Sequence, residues 1–167
     1  MSTVFLSYSR EDSQPLAILA EDIRSLGHQP WLDQELTGGQ RWWDHILEEI
    51  QMCEVFVCAV SPSSLDSRAC MAEYQYALDL GKPILPVMVG RNVADSLMPP
   101  HLSELHRVDY VSGDKAAFAS LNRALTALPE PSPLPNPLPE PPPVPASYLY
   151  DLKIEIGAAG VMAPDMQ

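Results

Sequence analysis

At 167 residues the chain is long enough for one domain with a proper core and short for two. Acidic residues outnumber basic ones 22 to 10, for a net charge of −12, and the basic residues are scattered singly, which argues against nucleic acid or an anionic membrane as partner. Cys53, Cys58 and Cys70 are odd in number, lie in apolar stretches and form no C-x-x-C pair, so they read as reduced core thiols of a cytoplasmic protein.

The opening MSTVFLSYSRED has neither a basic leader nor a long apolar run, and no segment approaches about 18 apolar residues, so neither export nor membrane insertion is expected. Residues 3–9 (TVFLSYS) read as a first strand. Leu16, Leu19, Ala20, Ile23 and Leu26 then recur at helical spacing, with Gly27 as the stop. Residues 29–32 make a short second strand, and 33–41 (DQELTGGQR) a glycine-containing loop. Trp42, Ile46 and Ile50 predict a second helix. The continuous apolar run 55–60 (VFVCAV) suits a strand buried on both faces, ended by Ser61-Pro62. Residues 67–80 read as a helix stopped by Gly81, 84–89 (ILPVMV) as another buried strand, 108–111 as a fifth strand and 115–128 as a final helix.

At Pro129 the composition breaks: ten of the seventeen residues 129–145 are proline, which favours an extended polyproline spacer over a packed element. The chain is therefore divided into a domain over residues 1–128, a proline-rich linker over 129–145 and a short segment over 146–167 that starts a further element. About 20 residues cannot form a core of their own.

Strands alternating with helices imply a parallel sheet covered on both faces. In such folds ligands sit beyond the carboxyl ends of the strands, at the switch point of strand order. Those ends here are Ser7-Tyr8-Ser9-Arg10, Asp33 and its loop, Ser61-Pro62, and the loop after Val89.

In order along the chain stand VFLSYSRED, Trp31-Leu32-Asp33, GGQRWWDHI, VFVCAVSPSSLDS, CMAEYQYAL and KPILPVMV. Over residues 1–128 this succession resembles the Toll/interleukin-1 receptor (TIR) domain family. The resemblance implies a flavodoxin-like five-stranded parallel sheet in the order 2-1-3-4-5, with helices on both faces. Some TIR domains only assemble with one another, and others also hydrolyse or cyclise NAD⁺. Catalytic members carry a glutamate in a pattern like W-x-x-x-E or C-x-x-E; Cys70-Met71-Ala72-Glu73 matches the second form, and Ala69 stands where the first has tryptophan. Glu73 is thereby assigned as the catalytic residue, with NAD⁺ as substrate and no cofactor. The family also implies other TIR domains as partners, a neighbour's loop completing the pocket on assembly, and a place in prokaryotic immune signalling. The alternative on the same fold is a non-catalytic TIR–TIR scaffold.

The chemistry is coherent with a single carboxylate. Nicotinamide leaves as a neutral molecule, so the bond to ribose breaks without a general acid, and one carboxylate stabilises the oxocarbenium-like transition state. With Cys70 at zero on a wheel of about 100° per residue, Tyr74, Leu78 and Met71 define an expected buried stripe at about 40° to 100°. Glu73, at about 300°, borders it among Cys70, Ala77 and Ala69, away from Arg68, Gln75 and Asp79. Ser9, Arg10, Thr37 and Trp42 are the expected substrate-binding residues: Arg10 for a phosphate oxygen, Trp42 for stacking on nicotinamide or adenine. Trp42 equally begins the apolar stripe of its helix, with Trp43 as the exposed member of the pair.

The four histidines lack H-x-x-x-H spacing and stand apart from the cysteines, so no metal site is expected. No glycine-rich phosphate motif follows the first strand, which disfavours a dehydrogenase or a P-loop enzyme. A receiver domain would need an aspartate ending the third strand, where this chain has Ser61.

Overall fold

A computed structural model describes residues 2–32 and 39–146. Strands β1 (Thr3–Ser7), β2 (Gln29–Leu32), β3 (Val55–Val60), β4 (Ile84–Met88) and β5 (Val108–Asp109) form one parallel sheet in the order β2-β1-β3-β4-β5. Helices α1 (Ser13–Ser25), α2 (Gly39–Met52), α3 (Pro62–Leu65), α4 (Arg68–Asp79) and α5 (Pro100–Glu104) carry the chain back between strands, and α6 (Lys115–Ala127) follows β5. Parallel pairing requires such returns, because every strand starts from the same edge. This is the flavodoxin-like order implied by the motifs.

Helices on both faces leave β3 and β4 buried at every position, which explains why their sequences show no polar alternation. Period two divides the core in halves. Phe5, Phe56, Cys58, Val60 and Ile84 pack with Trp43, Ile46, Ile50, Tyr74 and Ala77 of α2 and α4. Val4, Leu6, Val57, Leu85 and Val87 pack with Leu16, Leu19, Ile23 and Leu121 of α1 and α6. Each fully buried aliphatic or phenyl side chain contributes about 1.5–3 kcal/mol of transfer free energy.

Pro86 sits inside β4, where a central strand would ordinarily lose a ladder bond. The Phe56 amide donates to the Pro83 carbonyl and the Tyr110 amide to that of Met88, so by alternation position 86 turns its nitrogen toward β5. Pairing with β5 starts only at Val87, and the missing donor is not needed.

Several boundaries differ from expectation. β1 ends at Ser7 because Arg10–Asp12 forms a 3-10 turn, and β5 keeps only two residues. α3 is an addition: Ser61 accepts from the Ser64 amide while the Ser64 hydroxyl accepts from the Ser61 amide, a reciprocal cap that closes one helical turn. The expectation that Trp43 is the exposed tryptophan is incorrect. Trp43 is fully buried and Trp42 half-buried, because the stripe of α2 runs through positions 43, 46, 47 and 50.

Residues 129–131 lie beside Ser2, Glu54 and Val55, at the edge where β1 and β3 begin. Further on, the Trp43 indole Nε1–H donates to the Pro142 carbonyl at 2.9 Å, Val144 packs against the α2/α4 half of the core and Pro145 is buried. The proline-rich segment thus climbs the height of the sheet to reach α2 near its start. Among the described residues no helix is long and apolar enough to cross a membrane.

Candidate functional site

β1 lies between β2 and β3, so the order of connection reverses around it and the crevice opens beyond its carboxyl end. Ser7 is the last residue of β1. Alternation from Phe5 turns Ser7 to the α2/α4 side, and pairing sets it beside Cys58 of β3. α4 is capped by Ser67, whose side chain accepts from the Cys70 amide, and the helix brings Glu73 onto the end of β1. The Ser7 hydroxyl donates to Glu73 Oε1 at 2.7 Å, with Ser7 2% exposed and Glu73 5% exposed.

Glu73 is therefore more deeply placed than its sequence position suggests. The buried residues of α4 are Cys70, Glu73, Tyr74, Tyr76 and Ala77, an arc from about 240° to 40° with Glu73 near its middle. The stripe is rotated because Tyr76 goes inside, its hydroxyl accepting from Gln51 Nε2 at 2.8 Å, while Leu78 remains half-exposed.

The surrounding thiols are not nucleophiles. Burial pushes the Cys70 thiol up to about 12, with the neighbouring Glu73 charge adding to the effect. Burial raises Cys58 as well, again with contributions from Cys70 and Glu73. Both stay protonated at neutral pH. Among the described residues no three histidine, cysteine or acidic side chains gather to hold a metal ion.

Of the other expected residues, Ser9 caps the 3-10 turn, its hydroxyl accepting from the Glu11 amide. Arg10 is exposed on that same turn, three residues beyond Ser7. Trp42 stands 6.2 Å from Trp31 and 5.0 Å from His45 between ring centroids, and Trp31 stacks on Phe5 of β1 at 5.1 Å. Thr37 lies outside the described residues.

Ser7 was missed as a partner of Glu73, although the two-residue alternation from Phe5 carried the signal. Beside it, the Ser61 hydroxyl donates to Asp12 and the Ser63 hydroxyl to Glu11 at 2.6 Å, joining the loops after β1 and β3. Ser9, Glu11, Pro62, Ser63, Leu65, Asp66 and Leu97 line an open cleft there, and Glu73 is not among its walls.

Gly90 fixes this junction. A Cβ there would stand 2.6 Å from Ser61 Cβ and 2.9 Å from Ser61 Cα, closer than packed atoms allow. Gly90→Ala is expected to destabilise the domain by about 1–3 kcal/mol, the usual range for overpacking, read as a lowered denaturation midpoint. An unchanged midpoint would mean that the serine turn yields freely.

A parallel α/β sheet with a buried carboxylate beyond its first strand defines the class. Residues 4–125 match the family model described as TIR domain, so the chain belongs to the TIR domain family. Among solved structures it is similar to the TIR domain of the Toll-related receptor TRR-2 from Hydra magnipapillata, at 18% identity and a TM-score of 0.61, over 75% of this chain and 99% of that one. It is also similar to the CMP N-glycosidase BcmB of Clostridium botulinum, at 18% identity and a TM-score of 0.50, over 74% of this chain and 97% of that one. No curated protein matches the sequence.

Proposed function

We propose that the chain is an NAD⁺ glycohydrolase of the prokaryotic TIR type, with Glu73 as its catalytic residue. The observation that carries this reading is a buried glutamate bonded to Ser7 beyond β1, at the switch point of the sheet. The similarity to an N-glycosidase of the same fold supports it, since that protein's name records cleavage of an N-glycosidic bond on a nucleotide.

In the proposed reaction the C1′–N bond of the nicotinamide riboside breaks and its electron pair leaves with nicotinamide. The Glu73 carboxylate stabilises the positive charge that develops on the ribose, and water attacks C1′ to give ADP-ribose and a proton. An adenine nitrogen attacking in place of water gives the cyclised product. Ser9, Arg10, Thr37 and Trp42 are the proposed substrate contacts. Function in defence signalling in the cytoplasm, through self-assembly of TIR domains, belongs to the same proposal.

The burial of Glu73 favours a second reading, a TIR–TIR scaffold, because a carboxylate only 5% exposed has little surface to offer a substrate. The two diverge in one measurement. If assembly opens the site, nicotinamide release per molecule rises with protein concentration or crowding, since the active species is the assembled one. Activity per molecule that stays flat while light scattering reports a monomer overturns the assembly step. A chain inert even when driven to assemble is a scaffold.

A further inference from the structure

We propose that Ser7 is the positioning residue for Glu73, holding its carboxylate ionised and fixed in direction through the Ser7 Oγ–Glu73 Oε1 bond. The proposal rests on Glu73 being the catalytic carboxylate, and goes beyond it by giving the last residue of β1 a task that no family motif assigns.

The geometry is restrictive. A serine hydroxyl has one proton to donate, and Ser7 spends it on Glu73 Oε1 at 2.7 Å. Both side chains are more than nine-tenths buried, so bulk water is poorly placed to replace that donor. A hydroxyl bond to a charged acceptor is about twice as strong as one between neutral groups.

Two thiols and an acid also face this pocket. Cys70, one turn back on α4, and Cys58, the pairing neighbour of Ser7 on β3, are neutral thiols. Asp12, whose field reaches Cys70, is an acid and opposes a second negative charge. Ser7 is the hydroxyl that links the strand to the carboxylate, and losing a hydrogen bond to its charged form lets a carboxyl group take up its proton at higher pH. Because the Ser7 backbone is held by pairing with Cys58 of β3, its hydroxyl also sets where Oε1 lies when substrate arrives.

The test uses the full chain with carbon-13 in the glutamate side chains. The Glu73 signal is assigned by its loss in Glu73→Gln, then followed against pH in wild type, Ser7→Ala and Ser7→Thr. In Ser7→Ala the midpoint is expected to move up by about one pH unit or more, and the acid limb of the nicotinamide-release profile to move with it. On the acidic side this is about a tenfold loss in turnover, with KM little changed. Ser7→Thr keeps the hydroxyl and restores both. Should either variant melt early, Ser7→Cys, of similar size and a weaker donor, is expected to give an intermediate midpoint. A Glu73 titration in folded Ser7→Ala that superimposes on wild type overturns the proposal. If wild type releases no nicotinamide, the proposed function fails, while the carbon-13 titration still decides the role of Ser7.

Discussion

Glu73→Gln is expected to reduce nicotinamide release from NAD⁺ by about 10²–10³-fold, the usual loss on removing one preorganised group that stabilises transition-state charge. Glutamine keeps the shape of the side chain, and its Oε1 still accepts the Ser7 hydroxyl, so only the charge is removed. The fold should therefore persist, and the melting temperature should equal or exceed that of wild type, since a buried charge in a functional site is held at some expense of stability. Glu73→Ala is the poorer variant, because it leaves the Ser7 hydroxyl without its acceptor in a buried place. The assay is chromatographic detection of nicotinamide beside circular dichroism. A Glu73→Gln chain as active as wild type removes Glu73 from the chemistry.

Trp43→Ala is expected to produce the largest loss of stability, about 3–5 kcal/mol, as for other large aromatic truncations in cores. Trp43 is fully buried among Ile46, Ile50 and Phe5, and it also holds the Pro142 carbonyl. Trp43→Phe separates these roles: it keeps most of the packing but loses the hydrogen bond, worth about 1 kcal/mol. In the same variant, limited proteolysis should cut within residues 129–146 sooner than in wild type. Equal cleavage rates would show that the indole bond does not retain the segment. We propose residues 1–128 as the domain proper, with 129–145 as a linker that is fastened back on it and 146–167 beyond.

The alternation of strands and helices was legible because its five apolar runs and intervening helical stripes are separated by clear stops such as Gly27, Gly81 and Ser61-Pro62, and the strand order followed from the family resemblance. What failed was the rotation of two helices about their axes. In α2 adjacent tryptophans fit the stripe equally by spacing, and only packing chose Trp43. In α4 the leucine at 78 outweighed the tyrosine at 76, yet Tyr76 is the buried one because Gln51 satisfies its hydroxyl. That rotation carried Glu73 from the border of the stripe to its middle. The serine turn was marked as a strand end, but its reciprocal cap and its links to Glu11 and Asp12 depend on loops meeting in space, which spacing along the chain does not encode.

The fastening of the proline-rich segment determines how mechanical load enters the molecule. A force applied beyond residue 146 does not first reach Leu128 at the end of α6. It arrives at the Pro142–Trp43 bond and the seat of Val144, on the helix whose next aromatic, Trp42, belongs to the ring stack that ends on β1. Tension on the distal chain is thus met at α2 before it reaches the end of α6.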